Sequence, residues 1–112
     1  METRKNTYQA YIRDDEPERF NAEIATLVGA VDLEGCDLSN QDLRKFTLRT
    51  ANLRNAHTKM ADLRGGVDLS EAQLDGASIN RAHISGAFFP RNIPAQEIRL
   101  SVEYGTRMRT VS

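Results

Sequence analysis

Between Val31 and Arg91 the large apolar residues of this chain recur at every fifth position. Leu33, Leu38, Leu43, Leu48, Leu53 and Leu63 set the series, and Leu69, Leu74, Ile79, Ile84 and Phe89 continue it after one extra residue; only Thr58 interrupts it. Two positions before most of them stands a compact residue, as at Val31, Cys36, Ala51, Ala56, Ala61, Val67, Ala72, Ala77, Ala82 and Ala87, with Gln41 and Phe46 as departures. A five-residue period matches neither the roughly 3.6 of a helix nor the roughly 2 of a strand, so the chain must turn regularly between units. On a helix, residues five apart rotate by about 500°, and the leucines would wind around the surface without forming a stripe. Fixed-period self-similarity of this kind is the signature of a solenoid.

The units VDLEG, CDLSN, QDLRK, FTLRT, ANLRN and ADLRG resemble those of the pentapeptide-repeat family, whose pattern is roughly Ala-(Asp/Asn)-Leu-x-x. The resemblance implies an all-β solenoid, a right-handed quadrilateral β-helix of about three coils with four units to a coil. The leucine series and the small-residue series would then point inward. Residues twenty apart stack in columns, and Leu33, Leu53 and Leu74 form one, its last step lengthened by the extra Gly66. Without that residue the buried centre of the next unit would fall on Asp68, and an unpaired buried carboxylate is costly, so Gly66 reads as a bulge between coils.

The open ends of such a solenoid need covers. Residues 1–30 therefore read as an N-terminal segment with a capping helix, 31–91 as the β-helix, and 92–112 as a C-terminal helix cap with a basic tail. Acidic Asp14, Asp15 and Glu16 before Pro17, then Phe20, Ile24, Leu27 and Val28 at helical spacing before Gly29, predict a helix over 17–28. Tyr8, Ala10 and Ile12 alternate with Gln9, Tyr11 and Arg13 and predict an extended segment ahead of it. Beyond Pro90 and Pro94, Ile98, Ser101, Val102 and Gly105 share a helix face, with Gly105 as the stop and a disordered tail from Thr106 to Ser112. This helix is expected to be a cap. The family resemblance adds an oligomer contact through Ile98, Val102 and Tyr104, since the C-terminal segments of several members pair two solenoids end to end as a homodimer.

Composition narrows the chemistry. The 112 residues amount to one domain, and 15 basic against 16 acidic side chains give a net charge of −1, with no global attraction to nucleic acid. The single cysteine, Cys36, occupies an inward position as a small hydrophobe and excludes an intramolecular disulfide. No apolar run reaches the length of a membrane span and the polar start lacks a secretory core, so a soluble cytoplasmic protein with no membrane partner is expected. Asp32, Asp37 and Asp42 fall on successive sides of the square and are expected to bond local backbone instead of sharing a metal. His57 and His83 fall on adjacent sides, too dispersed for a common zinc ion. No serine sits in a nucleophile motif and no phosphate loop is present. The expectation is a non-enzyme with no catalytic, metal or cofactor-binding residues and no cofactor.

The position after the central residue is a cation in five consecutive units, Arg44, Arg49, Arg54, Lys59 and Arg64. With four units to a coil these form a belt, flanked by Asp32, Glu34, Asp37 and Asp42 on one side and Asp68, Glu71 and Asp75 on the other. Arg54 should pair with Glu34 and Asp75 across a coil spacing of about 4.8 Å. Arg44 and Arg64 stack as like charges and, left partly unpaired, are the expected docking point for an acidic protein partner. The leading function is a non-catalytic protein-interaction module presenting rigid faces. The resemblance implies an alternative, a DNA mimic that inhibits or protects a DNA-binding enzyme such as DNA gyrase, another type II topoisomerase, or another DNA-handling complex; near-zero net charge and a basic middle coil depart from that pattern. Direct binding of nucleic acid is not expected, because cations spread around a belt cannot all face one duplex.

Overall fold

The computed structural model describes residues 4–111. Among these described residues three helices, α1 (Arg4–Arg13), α2 (Pro17–Thr26) and α3 (Ala95–Tyr104), lie before and after the repeats. Within the repeats one local conformation recurs. The central residue's carbonyl accepts the N–H three residues on, from Cys36 to Leu33 at 3.1 Å through to Ala87 to Ile84 at 2.9 Å. Several of these turns place a positive φ at the residue before the donor, 72° at Gly35 and 64° at Asn40, as a type II turn requires. The Asp or Asn preceding the central leucine closes the corner, its Oδ1 accepting the N–H two residues on at Asp32, Asp37, Asp42, Asn52, Asp62 and Asp68.

Successive coils join through parallel backbone bridges in four columns. Side 1 carries Asp32, Asn52 and Gln73; side 2 carries Asp37, His57 and Ser78; side 3 carries Asp42, Asp62 and His83; side 4 carries Asp68 and Phe88. The upper residue of each bridge donates downward and accepts through its own carbonyl, as Asn52 N–H does to Val31 at 2.8 Å while its carbonyl takes Leu33 N–H at 2.9 Å. Among the described residues each pairing is confined to one residue per side, and none extends into a continuous strand. Of the expected all-β solenoid, the coil period and the parallel pairing are present and the extended strands are not. A unit of five that gives its corner to a turn leaves little length to pair.

The interior is filled as the repeat predicts, for the leucine series from Leu33 to Leu74 is buried along with Ala51, Ala56, Ala61, Ala72, Ala77 and Ala82. Thr58, the exception, is also buried, and its hydroxyl donates to Ser78 O at 3.1 Å. Gly65 and Gly66 both take positive φ, 81° and 91°, and both are exposed. Beyond them the columns resume with a step of twenty-one, as from Asn52 to Gln73. The bulge displaces pairing on side 4, where Glu71 N–H reaches Arg49 O at 3.1 Å.

Both ends differ from the sequence expectation. The segment expected to be extended is helix α1, and its buried residues are Tyr8 and Ile12, four apart on one face. α2 begins at Pro17 as expected but ends at Thr26, leaving Val28 98% exposed in the link to the first coil. The two helices meet the lower rim through side chains that replace a missing coil. Lys5 Nζ donates to Glu34 O at 3.0 Å, and Asn21 donates to Lys45 O at 2.9 Å while accepting from Thr47. Phe46 departs from the small-residue rule because a helix lies beneath it, and its ring meets Phe20 edge-on at 5.2 Å, as Tyr8 meets Phe20 at 5.9 Å.

The upper rim is closed by α3 and by the tail that was expected to be disordered. Met108 is buried, its N–H donating to Ala77 O at 2.9 Å and its carbonyl accepting Gly76 N–H at 2.8 Å, so the tail runs as a further rung. Fully buried Ser101 Oγ accepts Ile79 N–H at 3.0 Å and donates to Thr106 O at 2.6 Å. Glu97 holds the tail from α3, accepting Arg109 N–H at 2.9 Å. Ser101→Ala is expected to strand the Ile79 amide and cost about 1–3 kcal/mol in denaturant unfolding. Gly35→Ala, facing open space, should lose about 1 kcal/mol to its left-handed φ alone. Gly76→Ala should lose at least as much in the same experiment, since a Cβ there would lie 2.3 Å from Asn55 Oδ1 and the end of that side chain must turn away.

Candidate interaction surface

The carboxylates that look clustered in sequence are dispersed onto different sides, and each is occupied by its own corner. His57 lies on side 2 and His83 on side 3. Among the described residues no three His, Cys, Asp or Glu side chains stand close enough to hold a metal ion, and no helix is long and apolar enough to cross a membrane. Cys36 is buried, which pushes its thiol pKa up.

The belt cations separate into two kinds. Arg44 forks onto Asp42, with Nε to Oδ1 at 2.9 Å and a terminal nitrogen to Oδ2 at 2.8 Å, and also reaches Asp62 at 3.4 Å. Arg64 forks onto Asp62 at 2.9 and 2.8 Å. The pair expected to be partly unpaired is thus a stacked lattice of two arginines and two aspartates on side 3. The Arg44 and Arg64 guanidiniums hold Asp42 and Asp62 below the usual carboxylate range, and their own pKa values rise in turn. Arg49 is likewise engaged, at 2.6 Å from Glu71 and 3.8 Å from Asp68.

Arg54 stacks between Glu34 and Asp75 along the backbone, as Gly35 N–H to Arg54 O at 2.8 Å and Asn55 N–H to Asp75 O at 3.0 Å require. Its side chain nevertheless forms no ion pair among the described residues, because Asn52 Nδ2 takes Glu34 at 3.2 Å and Thr110 takes Asp75 at 3.0 Å. Lys59 also stands without an ion pair there. It lines an open groove of about 370 Å³ along side 2, with Ser39 below, His57 beside it, Ser78 and Asn80 above, and Tyr104 from the cap.

Sequence periodicity places Ser39, Lys59 and Asn80 in one column but gives no sign of the groove, since the groove depends on where α3 ends. Ser78 Oγ donates to Gly105 O at 3.1 Å and Arg81 N–H to Val102 O at 2.9 Å, and these pin the helix end over side 2. Of the residues expected to make an oligomer contact, Ile98 and Val102 pack against the core and only Tyr104 is exposed, at 71%.

The family model for pentapeptide repeats matches residues 32–67 in eight copies. No curated protein and no solved structure matches the chain.

The carboxyls of Asp37, Asp42, Asp62, Asp68 and Glu97 all have pKa values lowered in the fold, the largest cause being side-chain hydrogen bonds from Ser39, Arg44, Arg64, Ser70 and Arg109 respectively. Groups of this sign stabilise fully above their unfolded values near about 4, and that stabilisation is lost as pH falls through the lower folded values. The melting temperature should hold between pH 7 and about pH 5 and drop on further acidification. Asp62→Asn should melt lower at pH 7 and show a shallower drop in acid.

Proposed function

With the repeats of this chain belonging to the pentapeptide-repeat family, we propose that the protein is a non-catalytic interaction module whose coil, the right-handed quadrilateral β-helix implied for that family, presents rigid sides to a protein partner. The observation that carries this reading is the commitment of the outward polar groups to local partners. Corner aspartates bond their own turns, and side-3 arginines fork onto side-3 aspartates. Such a face is ordered before it meets anything and loses little side-chain entropy on binding. Within the belt, Arg54 and Lys59 carry the available positive charge, Arg44 and Arg49 reach across to the next coil, and Arg64 is held by Asp62 of its own unit. A homodimer through α3 draws support only from Tyr104.

The DNA-mimic reading has less behind it. The described chain is 37 Å in its longest dimension including both caps, about one turn of duplex, and the basic belt interrupts the acidic surface. Tagged protein incubated with native lysate should retain one reproducible partner by quantitative mass spectrometry and lose it in Arg54→Glu/Lys59→Glu. Gyrase supercoiling should be unaffected at micromolar protein. Inhibition that survives high-salt washing of the protein preparation would reverse the order of the two readings.

A further inference from the structure

Lys59 is the belt cation that combines a free ammonium with a concavity. Arg44 and Arg49 border a different groove, of about 320 Å³ on side 4, but both are held by carboxylates. Asp37, the acid in the Lys59 groove, makes no ion pair among the described residues and is bonded to Ser39 instead. Its Oδ1 accepts Ser39 N–H at 3.0 Å, and its pKa is lowered chiefly by the Ser39 side chain. Around Lys59 the groove offers hydrogen-bonding groups of both signs, an imidazole from His57 and an amide from Asn80. The lip is Tyr104, a large ring with a polar tip, the composition favoured where proteins meet.

The walls are fixed. Three backbone-linked coils form the floor, and the cap approaches Asn80 closely because Gly105 has no Cβ; one built there would lie 3.1 Å from Asn80 Cγ at a φ of 74°. A groove of this kind, running along a column with an unpaired cation among amide, imidazole and hydroxyl groups and one carboxylate already bonded to Ser39, fits an extended chain bearing one carboxylate. It does not fit a phosphate backbone, which needs a track of cations.

We propose that the side-2 groove is a docking slot for an acidic, extended peptide segment of a protein partner, with a carboxylate on Lys59 and the neighbouring residue against Tyr104. The proposal rests on the interaction-module reading and names the chemistry of its partner.

The test is a ¹H–¹⁵N titration of the intact chain with acetylated, amidated hexaglutamate, with hexaglutamine and hexathymidylate as controls. Saturable shifts are expected at Ser39, His57, Lys59, Asn80 and Gly105 with hexaglutamate alone. Lys59→Glu should weaken binding at least about tenfold and Tyr104→Ala by a smaller factor, whereas Lys59→Arg should retain it. Both side chains are exposed, and melting curves will verify that the variants fold; Lys59→Met, which keeps the stem, provides a second charge deletion. Shifts centred on Arg44 and Arg64, shifts that never saturate, or affinity unchanged in both Lys59→Glu and Lys59→Met would overturn the slot. Tighter binding of hexathymidylate would replace it with a nucleic-acid site. If a lysate partner is retained equally by Lys59→Glu and Lys59→Met, the slot fails while the interaction module stands. If hexaglutamate binds as expected and no partner is ever retained, the slot stands and the module reading fails.

Discussion

Everything in this protein hangs on one hydrogen-bonding relation, the parallel exchange between a residue and the one a full coil later. Asn52 donates to Val31, accepts from Leu33, and is met from above by Gln73 N–H to Ala51 and Leu53 N–H to Gln73. Each side therefore ties its coil downward through one residue and upward through the backbone of the two that flank it. That leaves the two flanking positions of each unit to fill the interior with one large and one small apolar side chain, and the remaining two to turn. Each exchanged bond contributes of order 1 kcal/mol net, and repetition around four columns turns many small terms into one cooperative object.

The same relation makes the ends a problem and explains how they are built. A coil with no neighbour offers donors and acceptors at a fixed spacing, and the caps answer them group for group. At the lower rim Asn21 uses its amide as a peptide group would, donating to Lys45 O and accepting from Thr47 N–H. At the upper rim Met108 supplies a true backbone pair and Ser101 a hydroxyl that works in both directions. These caps reach the rim by different chemistry, yet each supplies partners to backbone groups that the missing coil leaves unpaired.

The period, the inward residues and the bulge at Gly66 were legible because each follows from local sequence and a fixed repeat. The face of α1 has its signal in the sequence, since Tyr8 and Ile12 are four apart and both buried, while the alternation of Tyr8, Ala10 and Ile12 that suits an extended chain depends on the weakly apolar Ala10. The tail departs from its expectation for another reason. Thr106 to Val111 is polar in sequence, and its order comes from an acceptor at Ala77 and a carboxylate at Glu97 that no local pattern reveals. Side-chain pairing failed at Arg54 in the same way, since competition from Asn52 and Thr110 is decided in three dimensions. The Lys59 groove lay beyond sequence because its roof is a helix end whose placement is settled by Ser78 and Arg81.

Four columns and five-residue units also set how such a chain can change length. A duplicated block of twenty residues would add a coil and leave each later unit above the same column as before. Duplicating one unit would instead carry everything downstream round by a quarter turn, moving His83 off the column of Asp42 and Asp62 and setting α3 over a different wall. A unit's neighbours are thus fixed by its ordinal number modulo four, and Gly66 marks the kind of insertion that escapes this arithmetic by bulging outward instead of advancing the count.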